Sequence, residues 1–338
     1  MIRRLTSYIL FPVALLIFGC ADDSDDLASP DVALFEEQQQ VIEQYLDERD
    51  ITTQQNEAGV RYRVLTENPN GESPEPGNIV NLYYRIEQLE GGIVAVREDS
   101  SSQEPVAYTF GFSSNNPLIY HLIFPIGLDN MVNTMREGEE YEFFLPSAYA
   151  YLDYELGDTL APNAIIRARI HLTEVLTTNE QRHVEDAKIK AYLAAQGLHD
   201  ADSLASGVYY QRTEEGSGDA VSEGSQVQVR YTGQLLDGTI FDSNTAADRE
   251  LYEFTVGASE RQPIEGFLLG IRQMRSGEKG TVVMPSHAAY GQGLISIPYA
   301  FVSDRLNEII LNPRDYGFAR AIPPYSPLRF DIEVVGVN

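Results

Sequence analysis

The stretch 263–290, PIEGFLLGIRQMRSGEKGTVVMPSHAAY, decides how the whole chain is read. Phe267, Ile271 and Met274 fall at i, i+4 and i+7, which puts three apolar side chains on one face of a short helix and predicts that this face meets a core. Gly277 is the expected stop. The run 281–284 then reads as a strand, ended by Pro285, whose ring nitrogen has no proton to give to a sheet ladder. A loop and Tyr290 follow.

Outward from this unit the flanking segments have period two. Val227, Val229 and Tyr231 alternate with Gln228 and Arg230, and Leu328, Phe330, Ile332 and Val334 alternate with Arg329, Asp331 and Glu333. That is the pattern of half-buried strands, and it aims Phe330 into the groove between sheet and helix. The same plan recurs upstream. Ile42, Tyr45 and Leu46 return as Ile189, Tyr192 and Leu193, 147 positions later (189 − 42), both sets within amphipathic helical patterns. Val80 with Val227 and Tyr84 with Tyr231 keep that offset, while Met135 with Met274 and Tyr151 with Tyr290 are 139 apart (274 − 135). Leu128, Val132 and Met135 rebuild the short helix, and Ile166, Ala168, Ile170 and Leu172 rebuild the alternating last strand. Short strands at 59–62 and 207–210 are expected to open the two sheets.

Taken together, VQVRYTG (227–233), DGTIFDS (237–243), the 263–290 unit, IPP (322–324) and LRFDIEV (328–334) resemble, in that order, the FKBP-type peptidyl-prolyl cis/trans isomerases over 207–338. The resemblance implies an α+β fold of two FKBP-like domains, each an antiparallel sheet wrapped around a short helix and each preceded by an amphipathic helix. It divides the chain into a helix at 32–56, a degenerate domain at 57–177, a linker helix at 178–206 and an isomerase domain at 207–338 with a long insertion at 292–321. It also implies that Tyr231, Phe241, Asp242, Phe254, Ile264, Phe267, Tyr290, Ile322 and Phe330 line a prolyl pocket. Phe267 would be its floor, where many relatives carry Trp. The Tyr290 hydroxyl and the Ile264 N–H would donate to substrate carbonyls, and Asp242 would orient the polar edge. Neither a cofactor nor a metal is implied.

The upstream copy has Val94 at the place of Phe241, Ala95 at Asp242, Leu128 at Phe267 and Ala168 at Phe330, with Tyr84 and Tyr151 kept and Tyr108 standing for Phe254. Each lost aromatic removes on the order of 1.5–3 kcal/mol of apolar burial or equivalent ligand surface. Ala168 is expected to leave a hole, and the first domain to keep its fold while losing catalysis. The chemistry itself needs no nucleophile. Rotation about a prolyl amide must cross about 18–20 kcal/mol because resonance gives the C–N bond double-bond character. A pocket that strips water from the amide carbonyl and offers a few fixed donors favours the twisted form, and a thousandfold acceleration asks for only about 4 kcal/mol.

Composition sets outer limits. A chain of 338 residues, 43% hydrophobic, has material for two cores. A net charge of −27 repels phosphate backbones, so neither nucleic acid nor an anionic membrane surface is an expected partner of the folded part. Arg3 and Arg4 precede an apolar run at 8–18 that is too short to span a bilayer. Ile17, Phe18, Gly19 and Cys20 then resemble a bacterial lipobox, with Phe18 departing from the small or β-branched residue usual there. Residues 1–19 are thus expected to be a signal peptide and Cys20 a lipidated N-terminus. The segment 20–31, with Asp22, Asp23, Asp25 and Asp26, is expected to be an acidic tether that resembles the export tags of surface-displayed lipoproteins.

Cys20 is the only cysteine, which leaves no disulfide. His121, His171, His183, His199 and His287 lack metal spacing, and Gly291 and Gly293 lack the strand and helix of a dinucleotide loop. The expected protein is an isomerase held by a lipid anchor in the bacterial envelope, at the outer membrane on its periplasmic face or at the cell surface. It would act on proline-containing unfolded or nascent exported polypeptides. The alternative is a non-catalytic chaperone or scaffold. The insertion is expected to form a flap or lid, and the long helices either to build a homodimer or to pack on their own domains.

Overall fold

The computed structural model describes residues 32–99, 104–111, 125–155, 158–246, 248–258, 262–292 and 322–338. The signal, Cys20, the acidic tether, His121 and the insertion from 293 to 321 lie outside these described residues. Among the described residues no helix is long and apolar enough to cross a membrane.

Two seven-stranded antiparallel sheets carry the fold, and they have the same topology. The first is built from β1 (Gln54–Gln55), β2 (Arg61–Thr66), β3 (Ile79–Gln88), β4 (Ile93–Arg97), β5 (Val106–Thr109), β6 (Glu140–Leu145) and β7 (Ile166–Leu176), in the order β1-β2-β6-β7-β3-β4 with β5 also on β3. The second uses β8 (Asp202–Ser203), β9 (Tyr209–Glu214), β10 (Gln226–Leu235), β11 (Ile240–Ser243), β12 (Tyr252–Thr255), β13 (Lys279–Met284) and β14 (Leu328–Val337), in the order β8-β9-β13-β14-β10-β11 with β12 also on β10.

Even the irregularities repeat. The β10–β14 register slips between Gln228 and Val229, and β3–β7 slips between Asn81 and Leu82. The β10–β11 pair slips between Gly233 and Gln234, and β3–β4 between Ile86 and Glu87. Both slips keep the offset of 147 read from the sequence, so the repeat extends to backbone geometry.

Among the described residues four α-helices accompany the sheets: α1 (Val32–Glu48), α2 (Leu128–Val132), α3 (Thr178–Ala195) and α4 (Glu265–Ile271). α3 starts with a capping box in which the Thr177 hydroxyl accepts from the Glu180 N–H and Glu180 accepts from the Thr177 N–H. Both long helices are shorter than the sequence led us to expect. Asp50 at φ 52° and Gly197 at φ 71° turn the chain out of the helix, and the segments 54–55 and 202–203 become the edge strands β1 and β8. The short helices also end early. α4 stops at Ile271 rather than at Gly277, and Met274 reaches the core through tight turn bonds, its N–H donating to Ile271 O at 2.9 Å.

Adjacent residues on β13 show the layering. Val282 joins the core beneath α4, and Val283 joins Ile189 and Leu193 of α3 on the opposite face. Gly270 brings α4 close to the sheet: a Cβ there would stand 2.2 Å from Val282 Cγ2. In the first repeat, Ile42, Tyr45 and Leu46 of α1 cluster with Phe144 and Leu89. Each repeat is therefore helix, sheet and short helix in three layers, and the segment expected to be a linker helix is the outer layer of the second repeat.

Candidate active site

The second sheet gathers its aromatic residues on the face covered by α4. Tyr231 comes from β10, Phe330 from the neighbouring β14, and Phe267 from the first turns of α4. Phe330 packs edge-on against Phe267 at 5.3 Å and against Phe241 at 5.6 Å between ring centroids, and lies 6.0 Å from Tyr231. Phe254 of β12 closes one side, 6.4 Å from Phe267. Phe241, Phe254, Phe267, Ile322 and Phe330 are buried in one cluster, with Tyr231, Ile264 and Tyr290 half-buried against it.

A β-bulge explains how Phe241 and Asp242, neighbours in the chain, serve the same cluster. Gly233 pairs with Asp242 and Gln234 with Ile240, leaving Phe241 as the extra residue. In a regular strand the two side chains would face opposite sides; the bulge re-aims one of them. The Phe241 ring stands at 88° to Tyr290, 6.5 Å away, while Asp242 Oδ2 accepts from the Tyr231 hydroxyl at 2.5 Å. All nine residues singled out from the sequence are thus brought together: eight in the apolar cluster and Asp242 through its bond to Tyr231.

The electrostatics leave the site's phenols protonated. Burial, then the hydrogen bond and charge of Asp242, push Tyr231 far above the usual tyrosine range. Burial first, and the Asp242 and Tyr252 neighbours after it, push Tyr290 up to about 12. Tyr290 therefore keeps its O–H as a donor throughout the physiological range. Ile264 sits at the N-cap of α4 with φ −57° and ψ 152°, and no acceptor among the described residues takes its N–H.

Four contributors were not found by sequence reasoning. Tyr252 on β12 lies 5.3 Å from Phe254, 6.1 Å from Tyr231 and 6.5 Å from Phe267; its i, i+2 spacing with Phe254 was the available signal. Asn244 accepts from the Tyr231 N–H at 2.7 Å and donates to Val229 O at 3.0 Å and Glu250 O at 3.2 Å, tying β10 to the β11–β12 loop. Gly233 lies under the Phe241 and Phe330 rings, where a Cβ would stand 2.7 to 2.8 Å from their edges. Glu185 of α3, 1% exposed, accepts from the Ser286 N–H at 2.7 Å and the Ser286 hydroxyl at 2.8 Å, fixing the turn Ser286–Ala288 that leads to Tyr290. In the first repeat Gln38 does the same for Ser147, at 2.7 and 3.0 Å.

Register shows what the first repeat has in place of this site. Ile86 pairs with Ala168 where Gly233 pairs with Phe330, and Ile86 also pairs with Ala95 where Gly233 pairs with Asp242. Where a hole was expected at Ala168, the strand partner is the fully buried Ile86, which stands in the place of Gly233 and adds bulk opposite the missing ring. At the offset of 139 that relates α2 to α4, Ile264 corresponds to Pro125 (264 − 139), which has no N–H to donate. Added bulk at Ile86 and a deleted donor at Pro125 thus distinguish the first repeat from the second.

Among the described residues no group of three or more His, Cys, Asp or Glu is placed to hold a metal ion. Residues 218–335 match the family model for FKBP-type peptidyl-prolyl cis-trans isomerases. The chain is 32% identical over 140 residues to the macrophage infectivity potentiator of Trypanosoma cruzi, covering 41% of this chain and 57% of that protein. It is 29% identical over 136 residues to the FKBP-type 22 kDa peptidyl-prolyl cis-trans isomerase of Escherichia coli, covering 40% and 52%. The chain thus spans about half the length of these curated relatives. Among solved structures it is similar to FkpA from Escherichia coli, with 26% identity, 47% of this chain and 62% of that chain covered, and a TM-score of 0.33. The part of the chain similar to the FKBP-type peptidyl-prolyl cis-trans isomerases is thus residues 218–335, within the second repeat.

Proposed function

We propose that the second repeat catalyses cis/trans isomerisation of prolyl amides in exported polypeptides, and that the first repeat is a non-catalytic partner of the same fold. The observation that carries this reading is the cluster around Phe330: Phe241 and Phe267 meet it edge to face and Tyr231 lies tilted against it, with the protonated Tyr231 and Tyr290 phenols, the Asp242 carboxylate and an Ile264 N–H that no acceptor among the described residues takes. A proline ring entering among these side chains leaves water. Its preceding carbonyl then loses the hydration that favours the planar, charge-separated amide, and the barrier to rotation falls. The Tyr290 O–H and Ile264 N–H supply donors for the carbonyls on either side of the twisting bond, where they act on the rotated geometry. Nothing in this scheme passes a proton or forms a covalent bond.

The test is isomerisation of a short Xaa-Pro peptide by the full chain, beside Phe330→Ala and Asp242→Ala. Native protein should accelerate the reaction and Phe330→Ala should fall to background, since Ile86 and Pro125 give the first repeat no groove to fall back on. Native protein indistinguishable from buffer would leave the second reading standing, a module that binds polypeptides without turning them over. That reading draws support from the first repeat, where the same fold persists without the site.

The lipobox-like run Ile17 to Cys20 and the acids after it support placement on the bacterial outer membrane through a lipid on Cys20. Metabolic labelling with palmitate checks this: Cys20→Ser should lose both label and membrane association.

A further inference from the structure

The turn that carries Tyr290 is tied to a segment returning from far along the chain. The Gly291 N–H, next to Tyr290, donates to Ser286 O at 2.8 Å, and Gly291 O accepts from the Tyr325 N–H at 2.9 Å. In the first repeat Leu152 takes the place of Gly291 (291 − 139): its N–H donates to Ser147 O at 2.8 Å, and its O accepts from the Asn163 N–H at 3.0 Å. Asn163 and Tyr325 are therefore structural counterparts, and both are left-handed, at φ 57° and 55°. Asparagine tolerates that region, whereas a bulky tyrosine adopts it only where its surroundings hold it there.

What holds the two residues differs. Asn163 is fixed from within its own repeat: Gln38 of α1 accepts from Ser147 through Oε1 and donates through Nε2 to Asn163 O at 2.8 Å. One amide thus clamps the turn and the returning segment together. The corresponding residue of α3 is Glu185 (38 + 147), which accepts from Ser286 in the same way, yet a carboxylate has no proton to give to Tyr325 O. The second repeat has half the clamp. Its tyrosine instead reaches across the repeat boundary, where the Tyr325 hydroxyl and Thr109 Oγ1 of β5 share a hydrogen bond of 2.5 Å. Thr109 is only 7% exposed, so water competes little for this bond, whereas its counterpart on β12, Thr255, is exposed.

The segment that Tyr325 anchors belongs to the site. Ile322 packs into the aromatic cluster, and Pro323, Pro324 and Pro327 have no N–H by which the segment could be tied. We infer that the first repeat positions the active site of the second: Thr109, through the Tyr325 hydroxyl, holds the segment 322–327 and with it Ile322 and the Tyr290 turn. Thr109 and Tyr325 are positioning residues, acting through Ile322 and Tyr290. The first repeat supplies the anchor that Glu185 cannot. For its catalytic consequence this rests on the isomerase reading of the second repeat.

The experiment uses the full chain with Tyr325→Phe, Thr109→Val, the two combined, and Thr109→Ser, which keeps a hydroxyl. Hydrogen exchange of the Tyr325 amide, followed by NMR, should accelerate about fivefold in the first three and stay near the native rate in Thr109→Ser. With a short Xaa-Pro peptide, kcat should fall by roughly fivefold to tenfold in Tyr325→Phe and in Thr109→Val. KM should change little, because the Tyr290 donor acts on the rotated amide. The combined variant should lose no more than either single one, since both remove the same bond. A hydroxyl that only stabilised the fold would lower the urea midpoint and leave kcat of the folded protein as it was. Glu185→Gln restores the donor that Gln38 provides, so in that background Thr109→Val should cost less than about twofold in kcat. Native exchange and kcat in Tyr325→Phe or Thr109→Val, additive losses in the combination, no rescue by Thr109→Ser, or an undiminished effect of Thr109→Val beside Glu185→Gln would each overturn the inference. Native protein inactive on the peptide would instead sink the isomerase reading, and exchange at Tyr325 would still decide whether the first repeat holds the Tyr290 turn.

Discussion

Replacing Gly233 by alanine adds one methyl group where two rings of the site meet, and the structure sets the size of the effect. A Cβ on Gly233 would lie 2.7 Å from Cε2 and Cζ of Phe241 and 2.8 Å from Cε1 of Phe330. Relaxed carbon contacts stand at about 3.5–4.0 Å, so the Phe241 edge must retreat by roughly 0.8 Å (3.5 − 2.7). Both rings are 4% exposed and packed edge to face on each other, which leaves them little room to do so. Overpacking of this kind costs about 1–3 kcal/mol, and displacement of a site wall by this amount can cost up to about a hundredfold in rate. Gly233→Ala should therefore lower the urea midpoint of the chain and reduce kcat/KM for an Xaa-Pro peptide. The first repeat supplies the control. Gly233→Ile with Phe241→Val and Phe330→Ala copies the set Ile86, Val94 and Ala168, so the triple variant should be more stable than Gly233→Ile alone while being inactive. A triple variant less stable than that single substitution, or Gly233→Ala with unchanged midpoint and rate, would refute the argument that these three positions share one volume.

Asp242→Asn weakens the charge-assisted bond from Tyr231 and should cost about 1.5–3 kcal/mol in denaturant titration, with the Tyr231 phenol titrating nearer its ordinary value in ultraviolet absorbance. Tyr290 is pushed up to about 12, above its unfolded value near 10. The sign follows directly: its contribution to stability is whole below about pH 10 and is lost as pH rises toward the folded value, while isomerase activity stays flat through neutral pH. Tyr290→Phe should remove that part of the alkaline instability, and a Tyr290 that titrates at its unfolded value would exclude this account. Glu185→Ala strands the Ser286 N–H and hydroxyl, costing about 1–3 kcal/mol and raising KM as Tyr290 loosens. Glu185→Gln should restore both, as Gln38 already serves Ser147; no rescue by glutamine would show that the charge itself matters.

Alternation and spacing were enough to identify the flanking strands of the second repeat and the shared faces of Tyr231, Phe267 and Phe330, because a period of two or of 3.6 fixes which side chains share a face whatever lies across from them; the other residues that converge on Phe330 were implied by the resemblance. The offset of 147 located the first repeat for the same reason, and the slips at Asn81 and Gln228 show that backbone irregularities followed it. Helix ends were less legible. Met274 sits at i+7 from Phe267 yet lies beyond the last helical residue, since apolar spacing cannot distinguish a continuing helix from a tight turn that buries the same side chain.

Other features depend on partners distant in sequence. Gly233 is unremarkable in a string until β11 and β14 place Phe241 and Phe330 over it, and Ala168 reads as a hole until β3 places Ile86 opposite. Gln181 and Glu185 lie on one polar-looking turn of α3, yet the turn after β13 gives Glu185 its donors, while Gln181 bonds Glu185 through Nε2 and its Oε1 has no partner among the described residues. The sequence by itself determined the repeat and the strands, because local periodicity is a property of the chain, and its resemblance to the FKBP-type isomerases implied the nine residues that meet at the site. Tertiary structure alone decided which side chains stand over Gly233, what lies opposite Ala168 and which carboxylate holds the Tyr290 turn, because volume and hydrogen-bond satisfaction belong to residues that only folding makes neighbours.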